Sequence, residues 1–330
     1  MNVNLLRGAL ASALSATLAA AALSPAAAAE FPSRAVSIVV PFSAGGPTDK
    51  VVRDLAVSMS KSLGQTVVVE NVTGAGGTIG TRKVAMAPPD GYMVLVHTMG
   101  MSTAPSLYKN LGFDVLKDFD YIGQVVDVPM VILGSKGLKE NNFSEMLDTI
   151  RKHPGKVSIG HAGPGSAAHL CTLLFENQVK SKMVSVPYKG SAPALSDLIG
   201  GQIDLVCDQT TSTAGQMQGG MVKPFAITTI QRATPFPDLM TADEQGLKGF
   251  DMRTWHGMYA PKGLPPQVKE KLVKGLQDAL ADPSFKQKMT DLGAQVVAQA
   301  DATPESLQKK LGEETARWAE VISASGIKPN

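Results

Sequence analysis

Aromatic residues and cysteine are scarce in this chain. Phe, Trp and Tyr together make up 5% of its 330 residues, and Cys171 and Cys207 are its only thiols. So few cysteines exclude a disulfide-dense scaffold and a cysteine-rich zinc module. They leave two possibilities open: one disulfide, if the chain is exported, or two buried thiols. An excess of charge is also missing. Lys and Arg number 31 against 29 Asp and Glu, and no basic stripe is interleaved with aromatics. A nucleic-acid partner is therefore not expected. The five histidines, His97, His153, His161, His169 and His256, show no H-E-x-x-H or similar spacing. No metal and no cofactor is expected. Beyond residue 29 no apolar run is long enough to cross a bilayer.

The start of the chain reads as a removable leader. Arg7 is followed by an Ala- and Leu-rich stretch without acidic residues, ending in Ala26-Ala27-Ala28-Ala29 before Glu30. A basic start, an apolar middle and a small-residue end describe a secretory signal over residues 1–29. No cysteine stands at the cleavage point, so a lipid anchor is not expected. Removing Arg7 leaves 31 − 1 = 30 basic residues against 29 acidic ones. A mature chain of about 300 residues exceeds one ordinary core, which predicts two domains.

The periodicity predicts an α/β protein. Residues 36–40 form a near-continuous apolar run, as in a strand covered on both faces. A Gly-rich turn follows, then a helix opening at Pro47 and closing at Gly64. A strand at 66–70, a second Gly-rich turn and helix, and a strand at 92–96 complete a β-α-β-α-β order, which argues for a doubly wound sheet. Residues 121–133 and 253–259 read as extended crossings between two lobes. Asn142 with Glu145 resembles a capping box. Strands are expected at 156–160, 183–187, 203–207, 224–228 and 295–298, with a last helix over 304–323. The expected division is 30–125 plus 256–330 for one lobe and 126–255 for the other.

Two Gly-rich strand-to-helix turns, 41–46 and 160–166, occupy matching positions. Each puts a helix N-terminus at the carboxyl end of a strand, where unpaired N–H groups and the helix dipole favour an anion. In open α/β sheets that crevice is where ligands bind. Two such ends across a cleft would clamp a carboxylate, with Ser43, Thr48 and Ser166 adding hydroxyls. The same glycines also serve simply as tight turns. Gly74-Ala75-Gly76-Gly77-Thr78-Ile79-Gly80 misses the G-x-G-x-x-G spacing, because its last glycine comes one place late. Gly163-Pro164-Gly165-Ser166-Ala167 is not a G-x-S-x-G elbow. Asp49, in the first turn of its helix, suits a structural role. Asp208, at a strand end, edges the cleft or caps a turn.

The residues carry a family resemblance. The run from Phe31-Pro32-Ser33-Arg34 through Pro41-Phe42-Ser43-Ala44-Gly45-Gly46-Pro47-Thr48-Asp49 resembles the start of the substrate-binding proteins of tripartite tricarboxylate transporters, the Bug family. Val68-Val69-Glu70-Asn71, Pro89-Asp90-Gly91-Tyr92, Pro105-Ser106-Leu107-Tyr108, Tyr188-Lys189-Gly190 and Gly200-Gly201-Gln202-Ile203-Asp204 follow in order, so the likeness covers nearly the whole mature chain. It implies a two-lobed periplasmic binding protein of type II-like fold, monomeric and not an enzyme. Such a protein delivers a small carboxylate to membrane permease subunits. It also implies a ligand held by Phe42, Ser43, Ala44, Gly45, Gly46 and Thr48 on one side and Gly165, Ser166 and His169 on the other. Thr98 and Asp208 would shape the distal pocket. Cys207-Asp208-Gln209-Thr210-Thr211 and His161 depart from the usual pattern, so the ligand cannot be copied from a relative. The rival readings are a secreted hydrolase or lyase using Ser166 with His169, and a receptor serving a signalling sensor.

Overall fold

In the computed structural model, which describes residues 30–324 and residue 329, the apolar run at 36–40 is buried from both sides. It forms β1 (Val36–Val40), parallel to β2 (Val67–Asn71) and β3 (Met93–Thr98). Successive residues point to opposite faces of a strand. Val36, Ile38 and Val40 pack with Val51, Val52, Leu55 and Met59 of α1 (Pro47–Leu63). Val39 packs on the other face with Val84 of α2 (Thr78–Ala85). Pro47 opens α1 where its missing N–H costs nothing, and Gly64 closes it at φ 67°. The expected signal over residues 1–29 lies outside the described residues.

Two long strands join the halves of the molecule. β4 (Phe119–Gly134) carries register shifts at Tyr121/Gly123 and at Gln124/Val126. Such bulges bend a strand, here just before it enters the second lobe. β9 (Arg253–Pro261) runs antiparallel to both β3 and β4. These are the segments that the sequence marks as extended crossings. In the second lobe β5 (Ser158–His161) lies parallel to β6 (Val184–Pro187) and to β7 (Leu205–Gln209). β4 pairs antiparallel with β7 and β8 (Lys223–Ile227). The strand path is β2-β1-β3-β9-β4-β7-β5-β6. Each lobe is thus a parallel, doubly wound core extended by antiparallel crossing strands.

Helices α3 (Gly100–Leu107), α4 (Phe143–Lys152), α5 (Ala167–Val179), α6 (Ser191–Ile199) and α7 (Thr210–Gln218) connect these strands. Then α8 (Pro266–Ala281), α9 (Pro283–Asp291) and α10 (Pro304–Ala324) return to the first lobe. At α4 the Asn142 side chain accepts from Glu145 N at 2.9 Å, but Glu145 reaches back to Asn141 N at 2.7 Å, one residue earlier than a capping box requires. The strand expected at 295–298 shrinks to β10 (Gln295–Val296), because Gln299–Asp301 turn at once into a 3₁₀ segment.

Cys171 and Cys207 form a disulfide, which decides between the two possibilities left by the sequence. It fastens the first half of α5 to β7 within the second lobe. Cross-linking positions 36 residues apart removes unfolded-state freedom equivalent to about 3–4 kcal/mol. The Cys171→Ser/Cys207→Ser variant should lose about that much in urea unfolding. A variant as stable as the oxidised parent would show that the bond contributes nothing.

Candidate functional site

The turn after β1 is held from below by a carboxylate. Asp49 accepts from Gly45 N and Arg53 Nε, both at 2.8 Å, and from Asn71 Nδ2 at 2.9 Å. Asn71 also donates to Phe42 O at 3.0 Å. Burial opposes ionisation of Asp49, but these hydrogen bonds together outweigh it and hold its carboxyl below the ordinary value. Asp49 therefore shapes the turn rather than facing a ligand. Gly46 N donates to Ser43 O at 3.3 Å. The amides of Ser43, Ala44 and Thr48 make no hydrogen bond among the described residues. Ser43 Oγ is buried without a partner. Phe42 stands edge-on to His97, with centroids 5.4 Å apart.

The turn after β5 behaves differently from its sequence expectation. Gly165 N donates to His169 Nδ1 at 3.1 Å, Ser166 N to Gly163 O at 3.1 Å, and Gly163 N to His161 Nδ1 at 3.2 Å. The amides of Gly165 and Ser166 are therefore engaged inside their own turn. Its carbonyls face the first lobe instead. Tyr108 OH donates to Pro164 O at 2.8 Å, and Thr103 Oγ1 donates to Gly165 O at 3.1 Å. Burial pushes the Tyr108 phenol up to about 12, so it stays a donor.

The free amides of the second lobe lie at the start of α6. Ser191 N and Ala192 N make no hydrogen bond among the described residues. Gly190, the N-cap of α6, packs directly on Ser43, with φ 147° and no room for a Cβ. Ala192 N also lies about as close to Gly46 as a van der Waals contact, 4.0 Å from where a Cβ there would stand. The start of α6 is thus the counterpart of the 41–46 turn, and the sequence reading missed it. Asp208 supports this end. Its two oxygens accept from Ser191 Oγ at 2.8 Å and Ser212 Oγ at 2.9 Å, and burial raises its carboxyl to about 6. Lys50 Nζ reaches over from α1 to Ser212 O at 3.3 Å.

A cavity of about 520 Å³ opens between the lobes, with Phe42, Gly76, Gly163, Pro164 and Tyr188 on its walls and, among the described residues, Lys189 as the only charged lining residue. Both Gly-rich turns border it, together with the 74–77 segment that fails as a dinucleotide motif. That segment repeats the strand–glycine–helix pattern of the other two, which is the signal by which it could have been found. Of the ligand residues expected from the sequence, only Phe42 lines this cavity; the others, Thr48 and Thr98 among them, lie behind or beside its walls. Thr48 Oγ1 meets His256 Nε2 at 3.2 Å, and Thr98 Oγ1 accepts from Gly100 N at 3.3 Å beside it on the ladder. Burial lowers His97 to about 4, His161 to about 3 and His169 to about 4. The imidazoles are neutral, so an anion here would meet amide dipoles rather than imidazolium. Ser166 Oγ accepts from His169 backbone N at 3.2 Å and makes no bond to the imidazole. A serine nucleophile needs that bond to a base, so the arrangement does not build a hydrolase couple.

This architecture matches known proteins. Residues 51–327 match the family described as tripartite tricarboxylate transporter family receptor. The chain belongs to that family. It is a family of solute receptors, not of enzymes. Among solved structures the chain is similar to the periplasmic binding protein BugD, at 50% identity and TM-score 0.89, over 91% of this chain and all of that one. It is also similar to MatC of Rhodopseudomonas palustris, solved with bound malate, at 36% identity and TM-score 0.84, over 88% of this chain and 100% of that one. An R. palustris protein solved with adipate is 31% identical at TM-score 0.86, over 91% of this chain and 100% of that one.

Proposed function

We propose that this receptor, once exported to the periplasm, closes its two lobes on a small carboxylate and passes it to the permease subunits of a tripartite tricarboxylate-type transporter. The observation that carries the reading is the pair of opposed helix starts, one per lobe, whose amides at Ser43, Ala44 and Thr48 and at Ser191 and Ala192 lack partners among the described residues. Unpaired N–H groups at helix starts hold a carboxylate without a charged side chain. Phe42, Gly45 and Gly46 shape the first-lobe turn. Gly165, Ser166 and His169 form the second-lobe turn that closes over the ligand, with Thr98 and Asp208 behind. Relatives holding malate and adipate support a small diacid as ligand. The lobes are assigned to residues 30–125 plus 256–330 and to residues 126–255, in a monomer.

Closure follows from differential contact, since a ligand shifts the equilibrium only through interactions that the open form lacks. The test is a thermal-shift screen of the chain from Glu30 onward against malate, adipate and a wider panel of carboxylates. An acid at a hundred times its Kd adds about 2.7 kcal/mol of stability, which raises the melting temperature by several degrees. A panel in which no carboxylate moves the transition would count against the reading.

A further inference from the structure

A second cavity, of about 450 Å³, lies beside the hinge and away from the cleft. Its floor is the crossing pair itself, where Pro129 of β4 faces Arg253 of β9. One wall is α9 and the turn into β10, carrying Lys286 and Gly293. The other is the loop after β8, carrying Arg232. The walls come from both lobes and touch. A Cβ on Gly293 would stand 3.3 Å from Thr210 Oγ1 and 3.4 Å from the Phe236 ring.

The cations of this groove are unevenly compensated. Arg232 is held by both oxygens of Glu244, at 3.0 and 2.9 Å. Asp127, the one acid among the described residues of the lining, is already bound by Lys310 at 3.2 Å and by Gln124 at 2.8 Å. Among the described residues Arg253 has only Asp251 at 3.8 Å, beyond hydrogen-bond length, and Lys286 forms no ion pair. Two largely uncompensated cations, one on the hinge strand and one on the first-lobe wall, therefore line a polar groove that also holds Thr290.

We propose that this groove is a second anion-binding site, for a small polyanion bridging Arg253 and Lys286, whose occupation favours the closed lobes. Because its walls belong to both lobes, its width depends on closure. A ligand that fits the groove only when the lobes meet must, by linkage, tighten the binding of the cleft ligand by the same factor.

The probe is inorganic pyrophosphate at constant ionic strength, with citrate in a parallel arm to separate phosphate from polycarboxylate chemistry. Wild-type protein should gain melting temperature with at least one of them in the absence of any cleft ligand. Its affinity for the acid found in the cleft screen should rise about five-fold or more. The Arg253→Gln/Lys286→Gln variant should keep its fold and its basal acid affinity and lose both responses. The proposal is overturned if neither anion shifts the wild-type transition, or if the variant responds as the wild type does. Pyrophosphate carries no carboxylate, so its readout is independent of the receptor reading, whereas a citrate shift counts for the groove only where the Arg253→Gln/Lys286→Gln variant loses it.

Discussion

Gly76→Ala will leave the protein folded and weaken its carboxylate affinity by about a hundredfold or more, equal to about 2.7 kcal/mol. Gly76 sits at φ 62°, and a Cβ on it would overlap the Pro164 carbonyl oxygen of the other lobe and lie 2.8 Å from Tyr108 OH. A backbone carbonyl cannot rotate out of the way as a side-chain end can. The added methyl therefore stops the lobes short of contact while leaving each lobe's own packing intact. It also breaks the geometry in which Tyr108 holds Pro164, so the second turn no longer seats over the cavity. The local cost of alanine in the left-handed region is about 1–2 kcal/mol. Gly64→Ala supplies the control, since Gly64 has φ 67° with nothing within 4 Å of an added Cβ. It carries the same backbone strain and should bind as the parent does. Titration calorimetry on both variants, with circular dichroism for the fold, reads the difference. Equal affinities would show that the closed contact at Gly76 is irrelevant to binding.

The second large effect is acid lability. Three buried imidazoles, His97, His161 and His256, and the half-buried His169 are held at about 4, 3, 3 and 4 respectively, chiefly by loss of hydration. In the unfolded chain each returns to about 6.5. A histidine with a depressed folded pKa leaves the unfolded state binding more protons. Its contribution is complete above about pH 6.5 and is lost as pH falls toward the folded value. Each such group costs about 1.4 kcal/mol per pH unit in that window. Asp208 acts in the opposite sense. With its carboxyl raised to about 6, it takes up a proton first in the folded state and offsets one histidine between that pH and about 4. The net loss is about three protons' worth, on the order of 4 kcal/mol per pH unit below pH 6. Domains commonly hold about 5–15 kcal/mol in total, so at that slope unfolding is expected about one to four pH units below 6. Urea midpoints at neutral, mildly acidic and acidic pH test this. His256→Asn should lower stability at neutral pH yet flatten the slope by about one proton. A midpoint that does not move between neutral and mildly acidic pH would contradict the account.

Much of the fold was legible in the sequence, and for identifiable reasons. The run at 36–40 announces a strand covered on both faces, because Ile38 and Val39 need opposite partners and find them in α1 and α2. Pro47 and Gly64 mark the ends of α1 through fixed backbone geometry. The crossings β4 and β9 show as long extended segments, though the bulges that bend β4 leave no mark in residue type. The disulfide was undecidable, because spacing gives no distance between a helix and a strand that meet only in the tertiary fold.

The candidate site was half visible. Glycines at 41–46 and 163–165 point to helix starts, but which amides remain free depends on side chains that fold back locally. His161 and His169 fill the amides of their own turn, an outcome that requires knowing the direction of two imidazoles. Gly190 looks like an ordinary turn glycine until Ser43 of the other lobe arrives against it. Gly76 was misleading for the same reason. Its role lies in a contact between lobes, which glycine spacing within one lobe does not encode.

Amide hydrogen exchange, with and without the acid selected by the thermal-shift panel, tests the central claim most directly. If peptide N–H groups from both lobes hold the ligand, segments 43–49 and 189–192 should slow together when the acid is added. If the acid binds and only one of the two segments is protected, or neither, the two-sided amide clamp is wrong.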